Sequence, residues 1–376
     1  MLSLYLHIPF CVRKCYYCGF YSTRYSPQLA LSYVSALRLE AARHKKDFSG
    51  AVFDSVYVGG GTPTALSREQ LTSVLSIIHE NFRLSPDVEF TVEANPNTVD
   101  EGGISSLRAH GVNRLSIGVQ SFSDRVLQTL GRAHTAAQAE EAFGTARAAG
   151  FQNVGIDLIY GVPGQSQDDW ASSLHRALAL KAEHISTYCL SLDEGSQFMR
   201  EAEAGKLELP DDDAAAGMYE LALRALTGAG YRHYEISNFS LPGYECRHNM
   251  NYWERGEYLG LGPGAWSFIS GTRYHAVADV HEYSRRLSQG LSIVEDSETA
   301  MSGRAAEEAI MLGLRTARGV DLRKYEREFG PEASRHLEAC IATLRDSGLV
   351  YVRDGRLMLT ARGVLLSDEA LARLFP

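Results

Sequence analysis

Most of the chain repeats one unit: a short apolar run that closes on glycine or polar residues, then a stretch of helical periodicity. The runs fall at 2–8, 55–58, 88–92, 114–119, 154–159, 184–190 and 234–236. Their near-continuous apolar character predicts parallel strands buried on both faces. Helix starts between them are legible. Ser67, with Gln70 three residues on, precedes Leu71, Val74, Leu75, Ile78 and Phe82, a capping box feeding an apolar face. Thr135 with Gln138 repeats the device before Ala142 and Ala146, and Asp168, Asp169 and Trp170 open a further helix after the turn at 161–164. Six or seven such units predict an α/β fold, a partial (β/α)6-type barrel. Loops at the C-terminal ends of the strands carry function in such barrels, and here those ends are chemically distinctive. The first run leads to a group of cysteines, the second to GGGTPT, the third to Glu93, the fourth to Gln120 and Ser121, and the fifth contains Asp157.

Near residue 300 the pattern changes. Helices are expected at 305–316, 322–329 and 333–346, followed by LVYVRDGRLMLT, which reads as two strands joined at Asp354-Gly355. The chain therefore divides into a barrel at 1–295 and a small winged-helix-like α+β domain at 296–376. Winged helices often bind DNA, but residues 301–376 carry 12 Lys plus Arg against 11 Asp plus Glu, which argues against it. The net charge of −9 over 376 residues likewise argues against nucleic acid or an anionic membrane as partner. No stretch approaches the roughly 20 apolar residues of a membrane span, and MLSLYLHIPFC shows no leader-like pattern, so its residues are expected to belong to the fold. Six cysteines, three of them within eight residues, make no disulfide framework. A metal site in a reducing, cytoplasmic compartment is the expectation.

Cys11, Cys15 and Cys18 form C-x3-C-x2-C on one short segment. Three thiolates leave one iron of a four-iron cluster without a protein donor. A structural zinc site would need four ligands, usually in two pairs, and neither Cys189 nor Cys246 has such a partner nearby in sequence. GGGTPT at 59–64 is not a phosphate loop: no Gly-Lys-Ser/Thr follows, and Pro63 removes an amide donor. Glycine-rich backbone there suits close approach of a small polar ligand. Glu93 could accept from two hydroxyls or be an ordinary strand-end carboxylate.

HIPFCVRKCYYCGF resembles the radical SAM superfamily. That resemblance implies a [4Fe-4S] cluster on Cys11, Cys15 and Cys18, with S-adenosylmethionine (SAM) at the open iron and one-electron cleavage of its sulfonium as the available chemistry. It further implies that Tyr17 packs near cluster and adenine, although a loop aromatic filling the barrel mouth would look the same, and that Gly60, Gly61 and Thr62 hold the SAM amino group. Gln120 in GVQSF, Arg132 in LGRAH and Asp157 in GIDLIYGVPGQ extend the likeness along the whole chain to the anaerobic coproporphyrinogen III oxidase family, in which Tyr5, Glu93, Gln120, Arg132 and Asp157 match SAM-contacting positions. Arg132 would pair with the SAM carboxylate, or else form a surface salt bridge.

Within that family the oxidases continue C-x3-C-x2-C-x-C and carry an N-terminal extension. Here Phe20 stands at the extra cysteine and Cys11 follows ten residues. Both departures, with HNMNYW at 248–253, resemble the haem chaperone (HemW) branch. The branch implies haem as ligand, haem-accepting proteins as partners, and an electron donor such as flavodoxin or ferredoxin if SAM is cleaved. His248 is the expected haem ligand, with second-shell hydrogen bonding as its alternative. Tyr252 and Trp253 would flank a porphyrin or sit in the core. Trp266 replaces a histidine frequent in the branch, and His275, His281 and Cys246 are further donors that sequence does not rank. A coproporphyrinogen oxidase and a radical SAM methyltransferase remain as the enzyme alternatives.

Overall fold

The computed structural model describes residues 1–299 and 302–374. Six strands, β1 (Leu2–Ile8), β2 (Phe53–Gly60), β3 (Leu84–Ala94), β4 (Arg114–Gln120), β5 (Val154–Tyr160) and β6 (His184–Cys189), pair side by side in chain order, every pair parallel. Beyond β6 lie β7 (Arg232–Glu235) and β8 (Asn238–Ser240), and beyond β1 lie β9 (Glu257–Leu261), β10 (Trp266–Ile269), β11 (Thr272–Ala276) and β12 (Val294–Thr299). The 12 strands form one open sheet that ends at β7 and β12, so the barrel is partial, as expected.

Two features of the sheet differ from the expectation. Residues around 234–236 do not make a seventh parallel strand: β7 turns directly into antiparallel β8, because two residues cannot make the crossover that a parallel pair needs. The seventh parallel strand is β9, which pairs with β1 and was hidden by its five-residue length and internal Gly260. Nor are the strands apolar on both faces. LSLYLHI alternates strictly: Leu4, Leu6 and Ile8 lie in the core beneath the helices, whereas Ser3, Tyr5 and His7 turn to the barrel interior. Val56, Val58, Phe90, Val92, Leu115, Ile117, Ile156 and Leu158 continue the outer layer, and Tyr57, Glu93, Arg114, Ser116, Asp157 and Ser186 continue the inner one.

The helices cover the outer layer. Ahead of α1 (Pro27–Asp47) Ser26 accepts from Leu29 N, and α2 (Arg68–Asn81), α4 (Ala136–Ala148) and α5 (Gln167–Leu180) begin with complete capping boxes on Ser67/Gln70, Thr135/Gln138 and Ser166/Asp169, with α3 (Glu101–Ala109) between them. Trp170 of α5 is fully buried and donates to Met218 O of α6 (Asp212–Gly228) at 2.8 Å. The short α7 (Arg247–Trp253) packs across the N-terminal ends of β1 and β2 and against β9. No helix among the described residues is long and apolar enough to cross a membrane.

The C-terminal part has its own core of Ile310, Leu337, Leu344 and Leu357. Its helices are α8 (Ser302–Leu314) and α9 (Leu322–Asp346), the latter broken at Gly330, whose φ of 86° interrupts the helix between the two segments expected. The hairpin follows, β14 (Val350–Arg353) and β15 (Arg356–Leu359), with β13 (Val320–Asp321) on its edge; Asp354 and Gly355 both adopt positive φ at 53° and 73°, as a tight two-residue turn demands. Strand β12 carries the large sheet to Thr299, past residue 295.

Glu40 of α1 ties the first helix to the turn after β9 and to the neighbouring helix that carries Tyr283. It is buried and accepts from Gly262 N (2.8 Å) and Tyr283 Oη (2.5 Å). Burial raises its carboxyl to about 7, against the favourable effect of those two donors. The folded-state value exceeds the unfolded one, so stability is fully present below about pH 4.5 and is lost as pH rises toward 7. Glu40→Gln should therefore match the parent at pH 4 and be more stable by roughly 3 kcal/mol at pH 8 in urea unfolding.

Candidate functional site

The cysteine loop leaves β1 and is pinned at both ends by backbone. Thr23 N donates to Pro9 O (2.7 Å) and Tyr25 N to Cys11 O (2.9 Å), closing its base. At its tip Tyr16 N donates to Leu130 O (3.1 Å), and Tyr16 O accepts from Phe198 N (2.9 Å). Gly131 lets the Tyr16 ring lie flat on the backbone, since a Cβ there would come within 2.8 Å of the ring.

All three cysteines face one cavity of about 380 Å³ at the C-terminal ends of the strands, within the usual size of a small-molecule site. Tyr17, Gly60, Gly61, Thr62, Glu93, Gln120, Arg132 and Asp157 line it as well. Eleven of the thirteen residues expected from sequence thus meet in one place, Tyr5 and His248 being the two that do not.

The thiols differ in surroundings. Cys11 Sγ lies 3.6 Å from Thr62 Oγ1, and Arg132 Nη1 donates to Cys15 Sγ at 3.2 Å. Burial raises the Cys11 thiol, and raises that of Cys18 to about 11, so loading them as ligands releases protons. Among the described residues no three Cys, His, Asp or Glu side chains converge on one point as a single ion requires. The donor set, three thiols of one short loop facing one cavity, fits a four-iron cluster with one iron left open.

Around the thiols the polar atoms are incompletely used. Arg132 also donates from Nη2 to Gly118 O (2.7 Å), yet its buried Nε has no partner. Gln120 ends β4 at a φ of 68°, a conformation costly for a residue with a Cβ, and its buried Oε1 is unpaired. Glu93 accepts from Tyr57 Oη (2.8 Å) and Gly60 N (3.2 Å); burial lifts its carboxyl to about 7, with Asp157 adding to the rise. Asp157 Oδ1 accepts from Ser186 Oγ (2.7 Å) and both its oxygens from Ser116 Oγ. Strained and orphaned groups of this kind are what a polar ligand such as SAM would relieve.

In GGGTPT, Gly61 N and Thr62 N donate to Ile8 O and Phe10 O, each at 2.7 Å, so the amides a phosphate loop would offer are already committed. Gly60 has a φ of 104°, and a Cβ on Gly61 would sit 2.6 Å from Phe10 O. The turn is thus welded to the strand that delivers Cys11.

Tyr5 lies on β1 beside Tyr57, ring centroids 6.4 Å apart, with its hydroxyl 3.0 Å from His7 Nδ1. His248 is fully enclosed. Its Nδ1 is 2.9 Å from Ser55 Oγ and its Nε2 2.8 Å from Tyr252 Oη, and burial together with the Arg114 guanidinium pushes its pKa down to about 3. With both nitrogens hydrogen-bonded and its ring outside the cavity lining, His248 stands as a strut between β2 and α7. Cys246 is equally closed in, its Sγ donating to Glu89 Oε1 at 3.5 Å.

The chain matches the radical SAM superfamily over residues 5–177 and the HemN C-terminal domain over 304–366. It is similar to "Heme chaperone HemW" of Lactococcus lactis, 37% identical over 99% of this chain and 96% of that one. It is similar also to "Heme chaperone HemW" of Mycobacterium tuberculosis, 38% identical over 99% and 94%. This chain belongs to the HemW family of radical SAM proteins. Among solved structures, coproporphyrinogen III oxidase (HemN) from Escherichia coli superposes with a TM-score of 0.87 at 25% identity, covering 99% of this chain and 89% of that one.

For a HemW-family member, the sequence reading missed the lower part of the cavity: Tyr57, Arg114, His184, Tyr188 and Asn249 line it too. The signal was the alternation of the strands, which marks those side chains on β2, β4 and β6 as inward. Two outcomes follow. Gly61→Ala should cost roughly 1–3 kcal/mol in urea unfolding of the metal-free chain, because backbone on both sides of the new methyl must shift. His248→Ala should cost a similar, roughly 1–3 kcal/mol, by leaving Ser55 and Tyr252 short of a partner, while the affinity of the folded fraction for haemin stays within about threefold.

Proposed function

We propose that this HemW-family chain is a cytoplasmic haem carrier built on a radical SAM scaffold, which binds haem and passes it to acceptor proteins. The observation that carries the reading is Phe20. It is 66% exposed yet lines the cavity, two residues after Cys18, where the related oxidases have a further cysteine. An aromatic ring at the mouth offers a porphyrin an apolar face and supplies no sulfur. The names of the full-length relatives support the same reading.

Cys11, Cys15 and Cys18 would hold a [4Fe-4S] cluster with one iron open to SAM. When bound, cluster and SAM supply one-electron chemistry, fed by a flavodoxin- or ferredoxin-type donor. The chain's own residues bind and orient. Arg132 holds positive charge beside Cys15 and offers its free Nε to a carboxylate. Glu93 and Asp157 present acceptors to hydroxyl groups, and the unpaired Gln120 Oε1 accepts a further donor. Gly60, Gly61 and Thr62 form part of the cavity wall, held to the strand that delivers Cys11 by the amides of Gly61 and Thr62. Six unpaired cysteines suit a reducing compartment.

Anaerobic reconstitution with iron and sulfide, followed by haemin titration and a search for 5′-deoxyadenosine in the same sample, tests the reading. Saturable binding near one haem per chain is expected, without turnover of coproporphyrinogen III. Protoporphyrinogen formed over many turnovers, or haemin that binds without saturation, would overturn it.

A further inference from the structure

Beneath the residues assigned to cluster and SAM, the same cavity ends at a buried cation that feels the charges of Glu89, Glu93 and Asp157 but is directly paired with none of them. Arg114 begins β4 and is 1% exposed. Its Nη1 reaches Thr91 Oγ1 only at 3.5 Å, and its buried Nε has no partner. The acid that could pair with it, Glu89, is committed elsewhere. Glu89 Oε1 accepts from His248 N (3.0 Å) and Cys246 Sγ (3.5 Å), and Oε2 from Arg247 N (3.0 Å), so its charge serves the start of α7. Among the described residues Arg114 makes no ion pair within 4.0 Å.

His184 meets Arg114 from β6. It is 1% exposed and its Nε2 lies 2.8 Å from Tyr234 Oη, while its buried Nδ1 is unpartnered. Cys246 N donates to the Tyr234 oxygen (3.3 Å). With the phenol proton given to Nε2, the ring N–H stands on Nδ1 and is free to donate. Between the two lies Gly155, an inward position of β5. A Cβ there would be 3.5 Å from Arg114 Nη2, from His184 Nδ1 and from the backbone oxygen of Leu115, so the missing side chain leaves a recess between the two side-chain donors. Asn249 of α7 lines the same end of the cavity.

A buried guanidinium whose donors go unfilled is costly, and a ligand with an anionic group shaped to its fork fills them. Burial, with the Arg114 guanidinium adding to it, favours the neutral His184 ring, so the recess offers the donors of one guanidinium and one imidazole N–H. We propose that Arg114, His184 and Asn249 form a carboxylate seat over Gly155, receiving one carboxylate of a ligand held in this cavity. A porphyrin propionate and a free small carboxylate share that chemistry; only the first source rests on the haem reading.

The test uses the full chain. Propionate should raise the thermal midpoint of the parent protein above that in equimolar chloride, and Arg114→Gln should abolish the rise. Gly155→Ala guards against a folding defect in that variant, because its methyl would make ordinary contacts while filling the recess; it too should abolish the rise. If haem supplies the carboxylate, haemin should bind the parent about tenfold more tightly than its dimethyl ester and lose that preference in both variants. A propionate effect without haemin binding would keep the seat and remove the haem reading. No propionate effect, with haemin and its ester bound alike by all three proteins, would overturn the seat and leave the haem reading standing.

Discussion

Parallel strands that turn polar side chains toward one another can be buried only if those side chains bond with each other or with something brought in. That constraint organises this barrel from bottom to top. At the N-terminal ends much of the polar surface is self-satisfied: Ser3, Ser55, His248 and Tyr252 form one continuous chain of hydrogen bonds, and Glu89 gathers the start of α7. At the C-terminal ends, Gln120 and Arg132 keep buried atoms unpaired beside three free thiols. The lower layer fastens the fold except at Arg114 and His184, whose buried atoms stay unpaired as those of the upper layer do.

The helix containing HNMNYW sits at the junction of these layers. Its outer part fastens to the strands through His248 and Tyr252, while Asn249 borders the cavity. On its flank Tyr234 bonds to His184 and to Cys246 N, and the next residues of the chain join the C-terminal domain: Ile236 N donates to Arg315 O and Ala317 N to Tyr234 O, both at 2.9 Å. Arg255, just beyond α7, pairs with Glu308 of α8 and Glu328 of α9. The C-terminal domain therefore docks on elements one residue removed from the floor of the site.

What was legible in the sequence was whatever lies near a strand end in a compact motif. The cysteines, the glycine turn, Glu93 and Gln120 sit at or just past a strand end, so a correct strand reading brought them together; Asp157 lies inside β5 and Arg132 beyond a short helix after β4, and both were reached through their motifs. What was illegible depended on partners far away in sequence. Nothing around His248 announces Ser55, 193 residues earlier, which occupies its Nδ1. Arg114 opens the run RLSIGV and passes for the polar start of a strand; its isolation emerges only when Glu89 is found bonded to α7. The alternation of LSLYLHI was present to be read, but leucines and isoleucines at every second position look like an unbroken apolar run unless the intervening Ser3, Tyr5 and His7 are weighed.

An open sheet has two free edges, and each could recruit a strand from another molecule. Strand β7 is shielded by its backbone link to Thr316 in the C-terminal domain. Strand β12 is exposed along its whole length but places Glu295, Asp296 and Glu298 within six residues. A second copy aligning its own β12 there would bring like charges together, so the barrel can stay unclosed, with its interior reachable, and still resist sheet-to-sheet polymerisation.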